Sequence, residues 1–160
     1  PVLLRGDAQA KRQAIRKLGE IASPASVRAR SFALADEAIT VQRAALLSLQ
    51  RIGNDEALAA IASAGNATEV WIRGEAAAAL AGDSAATSLR YLEKYLGDED
   101  TNVRMATLDS LGELGDERAI ELISRALEDP DPAVREHAAD ALEHVGDEVA
   151  FRAMMGTKRR

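Results

Sequence analysis

The sequence predicts an all-α solenoid of about five stacked helix pairs, and three observations carry that expectation. A pattern of period 31 recurs along the 160 residues, and a fixed repeat of this size marks units that bury their apolar faces against one another. Within the repeat an acid stands four positions ahead of a cation, in Asp7 with Lys11, Glu69 with Arg73, Asp100 with Arg104 and Asp131 with Arg135; the second copy has Ala38 with Gln42, so both partners are lost together. The composition is 47% hydrophobic but only 3% aromatic, so small aliphatic side chains must fill the core.

Each repeat supplies two amphipathic segments. The first, helix B, covers residues near 10–22, 41–53, 72–82, 103–115 and 134–146, where apolar or small residues recur at offsets 0, 4, 5, 7, 8 and 11. At 100° per residue those offsets make one continuous stripe. Gly53, Gly115 and Gly146 follow these stripes and read as helix-ending residues free to take positive φ. The second, helix A, fills about 25–35, 56–64, 85–96, 117–128 and 148–156, with Leu34, Leu96 and Leu127 at matching positions. Antiparallel helix pairs with short turns follow.

The recurring acids read as structural. In Asp129-Pro130-Asp131-Pro132, Asp131 is placed to accept a helix N–H as N-cap, Pro132 suits the first helical position, and Arg135 lies one turn on. A row of such ion pairs is placed to bridge neighbouring repeats. Repeat three is two residues short: after Leu80 its turn arrives as Ala81-Gly82-Asp83, and its helix B is alanine-rich from Ala76 to Ala79. Trp71, Tyr91 and Tyr95 surround this thin unit, where large side chains fill the space that small ones leave.

The run Asp131-Pro132-Ala133-Val134-Arg135-Glu136-His137-Ala138-Ala139-Asp140-Ala141-Leu142-Glu143-His144-Val145-Gly146-Asp147 resembles the HEAT-like repeats typified by the phycobilin lyase subunits. Their unit reads approximately D-P-x-V-R-x-x-A-A-x-A-L-x-x-I-G-D. The resemblance is strong over 98–147 and looser before it. It implies a right-handed superhelix and mostly protein-binding roles, with no universal functional residue to carry over.

Composition narrows the function classes. Without cysteine there is no disulfide framework, thiolate metal site or thiol nucleophile, and no apolar run approaches the roughly 18 residues of a membrane span. The formal charge of −6 hides an asymmetry: residues 1–53 carry +5, residues 54–157 carry −14, and Lys158, Arg159 and Arg160 add +3. Such a field steers an acidic partner to the front or a basic one to the rear, and can align copies head to tail. Neither end shows the polar outer face that caps a solenoid. Leu3 and Leu4 match the close of a helix A, and Phe151, Met154 and Met155 lie on a helix with no helix B after it; a longer array or end-to-end association is therefore expected.

The outward positions of helix B form a strip whose identities change from repeat to repeat. Partner-binding candidates along it are Arg12, Arg16, Arg43, Leu47, Arg51, Met105, Asp109, Glu136, His137, Asp140 and His144, with Trp71 as a candidate anchor at the thin repeat. Leu47 and Met105, read as exposed apolar groups amid charge, point to a protein ligand. His137, Asp140 and His144 share one helix face, a pattern that invites a metal. The related deoxyhypusine hydroxylase holds iron with His-Glu pairs, whereas this chain has Glu136-His137 and Glu143-His144, reversed and confined to one repeat, so no metal or other cofactor is expected. The sequence reading is a non-enzymatic, cytoplasmic protein-binding scaffold. Its alternatives are a bilin lyase-type subunit or chaperone for a chromophore-bearing protein, and a nucleic-acid binder using the basic first repeats, against which the −14 of residues 54–157 weighs.

Overall fold

The structure is a computed structural model that describes the backbone of residues 2–18, 23–81 and 85–157, and side chains through Gly146 apart from those of Val2, Leu4 and Ala85. Among the described residues there is no strand. The helices are α1 (Val2–Arg5), α2 (Ala8–Leu18), α3 (Pro24–Ala33), α4 (Ile39–Ile52), α5 (Asp55–Ser63), α6 (Val70–Ala79), α7 (Ala85–Tyr95), α8 (Thr101–Leu114), α9 (Glu117–Arg125) and α10 (Pro132–Thr157). From α2 to α10 each even-numbered helix packs on the next even-numbered one, and α3, α5, α7 and α9 do the same in a second layer. This is the two-layer stack of a solenoid. No described helix is long and apolar enough to cross a membrane.

The even-numbered helices are helix B of the sequence pattern, and the first position of the stripe shows why they stack. Val41, Ile72, Val103 and Val134 are at most 1% exposed, and so are Leu49, Leu80 and Leu111 further along it. Two turns end as their glycines require: Gly53 at φ 64° and Gly115 at φ 58° occupy the left-handed region and donate their N–H groups to Leu49 and Leu111 carbonyls. The next residue then starts the following helix, with Asn54 Oδ1 accepting from Ala57 N at 2.9 Å and Asp116 Oδ1 from Ala119 N at 2.8 Å.

Gly146 departs from that expectation. It lies within α10, which runs unbroken through the predicted turn and through the segment 148–156 expected to form a separate helix. A glycine inside a helix costs only about 1 kcal/mol, so it stops one only where the returning helix gains a surface. At Gly115 that surface exists, because α9 packs on both α8 and α10. Phe151, Met154 and Met155 lie outside the described side chains, and the early turn of repeat three at Gly82 and Asp83 lies outside the described residues.

The charged positions also differ from the sequence expectation, and the difference explains the repeat. None of the four acid–cation pairs spaced four residues apart closes as an ion pair. The acids Asp7, Asp100 and Asp131 cap helices instead, accepting from Ala10, Asn102 and Ala133 N–H groups at 2.7, 2.8 and 2.9 Å. Three of the four cations reach 25 residues forward, to the loop after the next odd-numbered helix: Lys11 to Asp36 at 2.6 Å, Arg73 to Asp98 at 2.8 and 2.9 Å, Arg104 to Asp129 at 2.9 Å twice. The remaining guanidinium nitrogen of Arg73, and likewise of Arg104, binds two carbonyls of the loop before its own helix. Each arginine therefore ties three segments together with bidentate geometry.

Repeat three packs as its composition suggested. Tyr95, 4% exposed, lies against the end of α5, where a Cβ on Gly65 would stand 2.7 Å from the ring and hydroxyl. Burial pushes the Tyr95 phenol well above its ordinary pKa, with the Asp98 charge adding to it. Gly65→Ala is expected to cost about 1–2 kcal/mol through overpacking, read as a lower urea midpoint. The pair Gly65→Ala with Tyr95→Phe should remain as destabilised, because the ring carbon as well as the hydroxyl is in the way.

Candidate partner-binding cleft

The helices α2 and α4 are neighbours in the even-numbered layer, and their outward faces part to leave a cleft of about 390 Å³. From α2 it is walled by Gln9, Arg12, Gln13 and Arg16, over a floor at Ile15. From α4 come Ala44, Leu47, Ser48 and Arg51. Arg12, Arg16 and Arg51 are exposed, Leu47 is 54% exposed, and no acidic side chain is among the lining residues. The structure thus brings together four of the residues singled out from the sequence.

The other candidates are arranged differently. Arg43 is engaged at the joint between α4 and α6: it bonds Glu75 at 2.8 Å and lies over the Trp71 ring, 5.9 Å from its centroid. Trp71 is itself half-buried against the core. Met105, expected to be exposed, is half-buried and packs on the core as well, because a flexible thioether folds into gaps between helices. Asp109 and His137 meet between α8 and α10, with the ring Nε2 2.7 Å from Oδ1. Glu136, Asp140 and His144 are exposed on α10. Among the described residues no three His, Asp or Glu side chains come close enough to hold a metal ion.

One residue behind the cleft escaped the sequence reading. Arg30 on α3 is fully buried, at 0% exposed. In the 31-residue register its position belongs to Ile61, Leu92 and Ile123, each of them buried core. Its Nε donates to Ser48 Oγ at 2.7 Å and its Nη1 to Ser26 Oγ at 3.0 Å, while Nη2 has no partner among the described residues. Burial, and then the charge of Arg51, hold the Arg30 pKa below its ordinary value. The signal is present in the sequence, as a cation in an otherwise aliphatic column of helix A.

The profile of the HEAT-repeat family matches residues 2–81, 64–142 and 89–156, nearly the whole chain. The chain belongs to the HEAT-repeat family. Solved structures agree with this array. Human deoxyhypusine hydroxylase superposes with a TM-score of 0.67 at 23% identity, over 76% of this chain and 43% of its own. The complex of CpcE and CpcF of phycocyanin lyase from Nostoc gives 0.62 at 25% identity, over 95% of this chain and 65% of that one. Cex1p gives 0.65 at 19%, over 92% and 34%. This HEAT array spans less than half of the hydroxylase, and the likeness to that enzyme and to Cex1p is one of fold. No curated protein sequence matches it. HEAT repeats commonly serve protein interaction, but neighbours named as a hydroxylase and a lyase mean that the fold alone does not separate scaffold from enzyme subunit.

Proposed function

We propose that this HEAT array is a non-enzymatic protein-binding module that holds its partner along the even-numbered helices, with the α2–α4 cleft as the main seat. The observation that carries the reading is the convergence of Arg12, Arg16 and Arg51 with exposed Leu47 on one concave surface. Interfaces are built from such arginines around an apolar centre. A photo-reactive amino acid at position 47, introduced into the full chain in its source cells, is expected to cross-link to a defined protein. The same group at Ala59, exposed on α5, is expected to give none. Cross-links to nucleic acid, or equal labelling from both positions, would overturn the reading.

A second reading, a subunit acting on a bilin or its acceptor protein, is favoured by the lyase complex, whose fold matches 95% of this chain. A linear tetrapyrrole whose absorbance spectrum shifts on adding the protein would support it over the first.

A further inference from the structure

We infer that the α2–α4 cleft is a receptor for an acidic, leucine-bearing segment of a partner protein, and that buried Arg30 supplies the positive charge which that segment's carboxylate neutralises. This rests on the protein-binding reading above and specifies its ligand.

The argument starts from the cost of Arg30. An ionised group withdrawn from water destabilises a fold unless a counter-charge or a full set of hydrogen bonds offsets it. Among the described residues Arg30 has two neutral hydroxyl acceptors and no partner for Nη2, and the charged neighbour that acts on it is another cation, Arg51. The columns of the repeat show that the fold does not need it, since Ile61, Leu92 and Ile123 fill the same position with hydrocarbon. Among the described residues, a buried cation kept at an aliphatic position thus has no counter-charge, and it lies beside a cleft already lined by three more arginines.

Ser48 connects the two. It lies in the register of Ser110, whose hydroxyl reaches the Ala77 carbonyl of the preceding even-numbered helix at 3.0 Å, and that of Ala106 in its own helix at 3.0 Å. Ser48 has no such bond among the described residues. Its oxygen accepts from Arg30, and its O–H is left to donate into the cleft that it lines. An anion there would receive the Ser48 proton, polarised by Arg30 behind it, and the forked donors of Arg12, Arg16 and Arg51 in front.

The chemistry of the wall selects the ligand. Leu47, Ala44 and Ile15 give an apolar patch beside the cations, which suits a carboxylate-bearing peptide with an aliphatic side chain. A nucleic-acid backbone would run from this site onto residues 54–157, whose net charge is −14.

The test uses the full chain and a fluorescent peptide alternating glutamate and leucine, together with the same peptide carrying glutamine for glutamate. The acidic probe is expected to bind, more weakly as salt rises, and about ten-fold or more tighter than its amide counterpart. Arg30→Met should weaken that binding about ten-fold while leaving the melting temperature unchanged or higher, because it restores the aliphatic column. A purely structural arginine would give the opposite pair of results. Ser48→Ala offers a second reading of the same relay, with about ten-fold weaker binding and an intact fold. A lower melting temperature for Arg30→Met, equal binding of the two peptides, or tighter binding of duplex DNA would overturn the proposal. Should the acidic peptide fail while position 47 still cross-links to a protein, this inference falls and the protein-binding reading stands; failure of both removes both.

Discussion

Arg73→Ala is expected to lower the unfolding free energy by about 3–5 kcal/mol, the usual consequence of removing one partner from a buried ion pair. The side chains of Arg73 and Asp98 are 6% and 10% exposed, so truncation leaves a carboxylate in a nearly dry site and frees the carbonyls of Ala67 and Thr68 that Nη1 had satisfied. Burial pushes the Asp98 carboxyl up, but the Arg73 hydrogen bonds, the Asp100 N–H and the charges of Arg73 and Arg104 outweigh it and hold its pKa below the ordinary carboxylate value. A carboxyl whose pKa falls on folding contributes stability that is present above its unfolded pKa, about 3.9, and is lost as pH falls through the lower folded value. The parent protein should therefore lose stability steeply below about pH 4, and Arg73→Ala should flatten that acid limb as well as lower the plateau. Urea unfolding across pH 2–7 (about the range that brackets these carboxyls) measures both. A loss below about 1 kcal/mol, the range of an exposed pair, would show that the contact does not staple the repeats.

The stack was legible in the sequence because each helix B repeats its stripe, and Val41, Ile72, Val103 and Val134 fall where that stripe begins. What the sequence concealed was the direction of the charges. Asp100 and Arg104 lie four residues apart, the ordinary spacing for a pair on one helix, yet Asp100 is taken up by capping and Arg104 turns to Asp129. The two arrangements share one sequence signature, since a 31-residue repeat fixes every spacing modulo the period. Only the loop position of Asp36, Asp98 and Asp129, visible once helices are placed, distinguishes them. Gly146 was misread for a similar reason: its local motif copies that of Gly115, but a turn also needs a tertiary surface that no local motif reports. The cleft was half legible. Arg12, Arg16, Leu47 and Arg51 follow from the outward face of helix B, whereas Ser48 belongs to the inward stripe and Arg30 to the other layer.

The coupled loss in repeat two offers the second large effect, because one rung of the ladder is missing there. Gln42 occupies the column of Arg73 and Arg104, and Ala67 the column of Asp36, Asp98 and Asp129. The Gln42 Oε1 is buried without a partner among the described residues. Asp36, Asp98 and Asp129 each also accept the backbone N–H two residues on, from Ala38, Asp100 and Asp131 at 3.0, 2.9 and 2.9 Å. Glu69, two residues after Ala67, stands at the N-cap of α6 and makes no side-chain cap bond. Gln42→Arg alone buries a charge, Ala67→Asp alone buries the opposite one, and each is expected to destabilise by about 1–3 kcal/mol. Together the introduced guanidinium and carboxylate should meet as Arg73 and Asp98 do, while the carboxylate also takes the Glu69 N–H. The double variant is then expected to be at least as stable as the parent, so that a double-mutant cycle in urea gives a coupling energy at least equal to the sum of the two single losses, about 2 kcal/mol or more. Additive losses in the two single variants would sink the ladder as the rule that joins these repeats, since the same columns and the same loop would have failed to make the same bond.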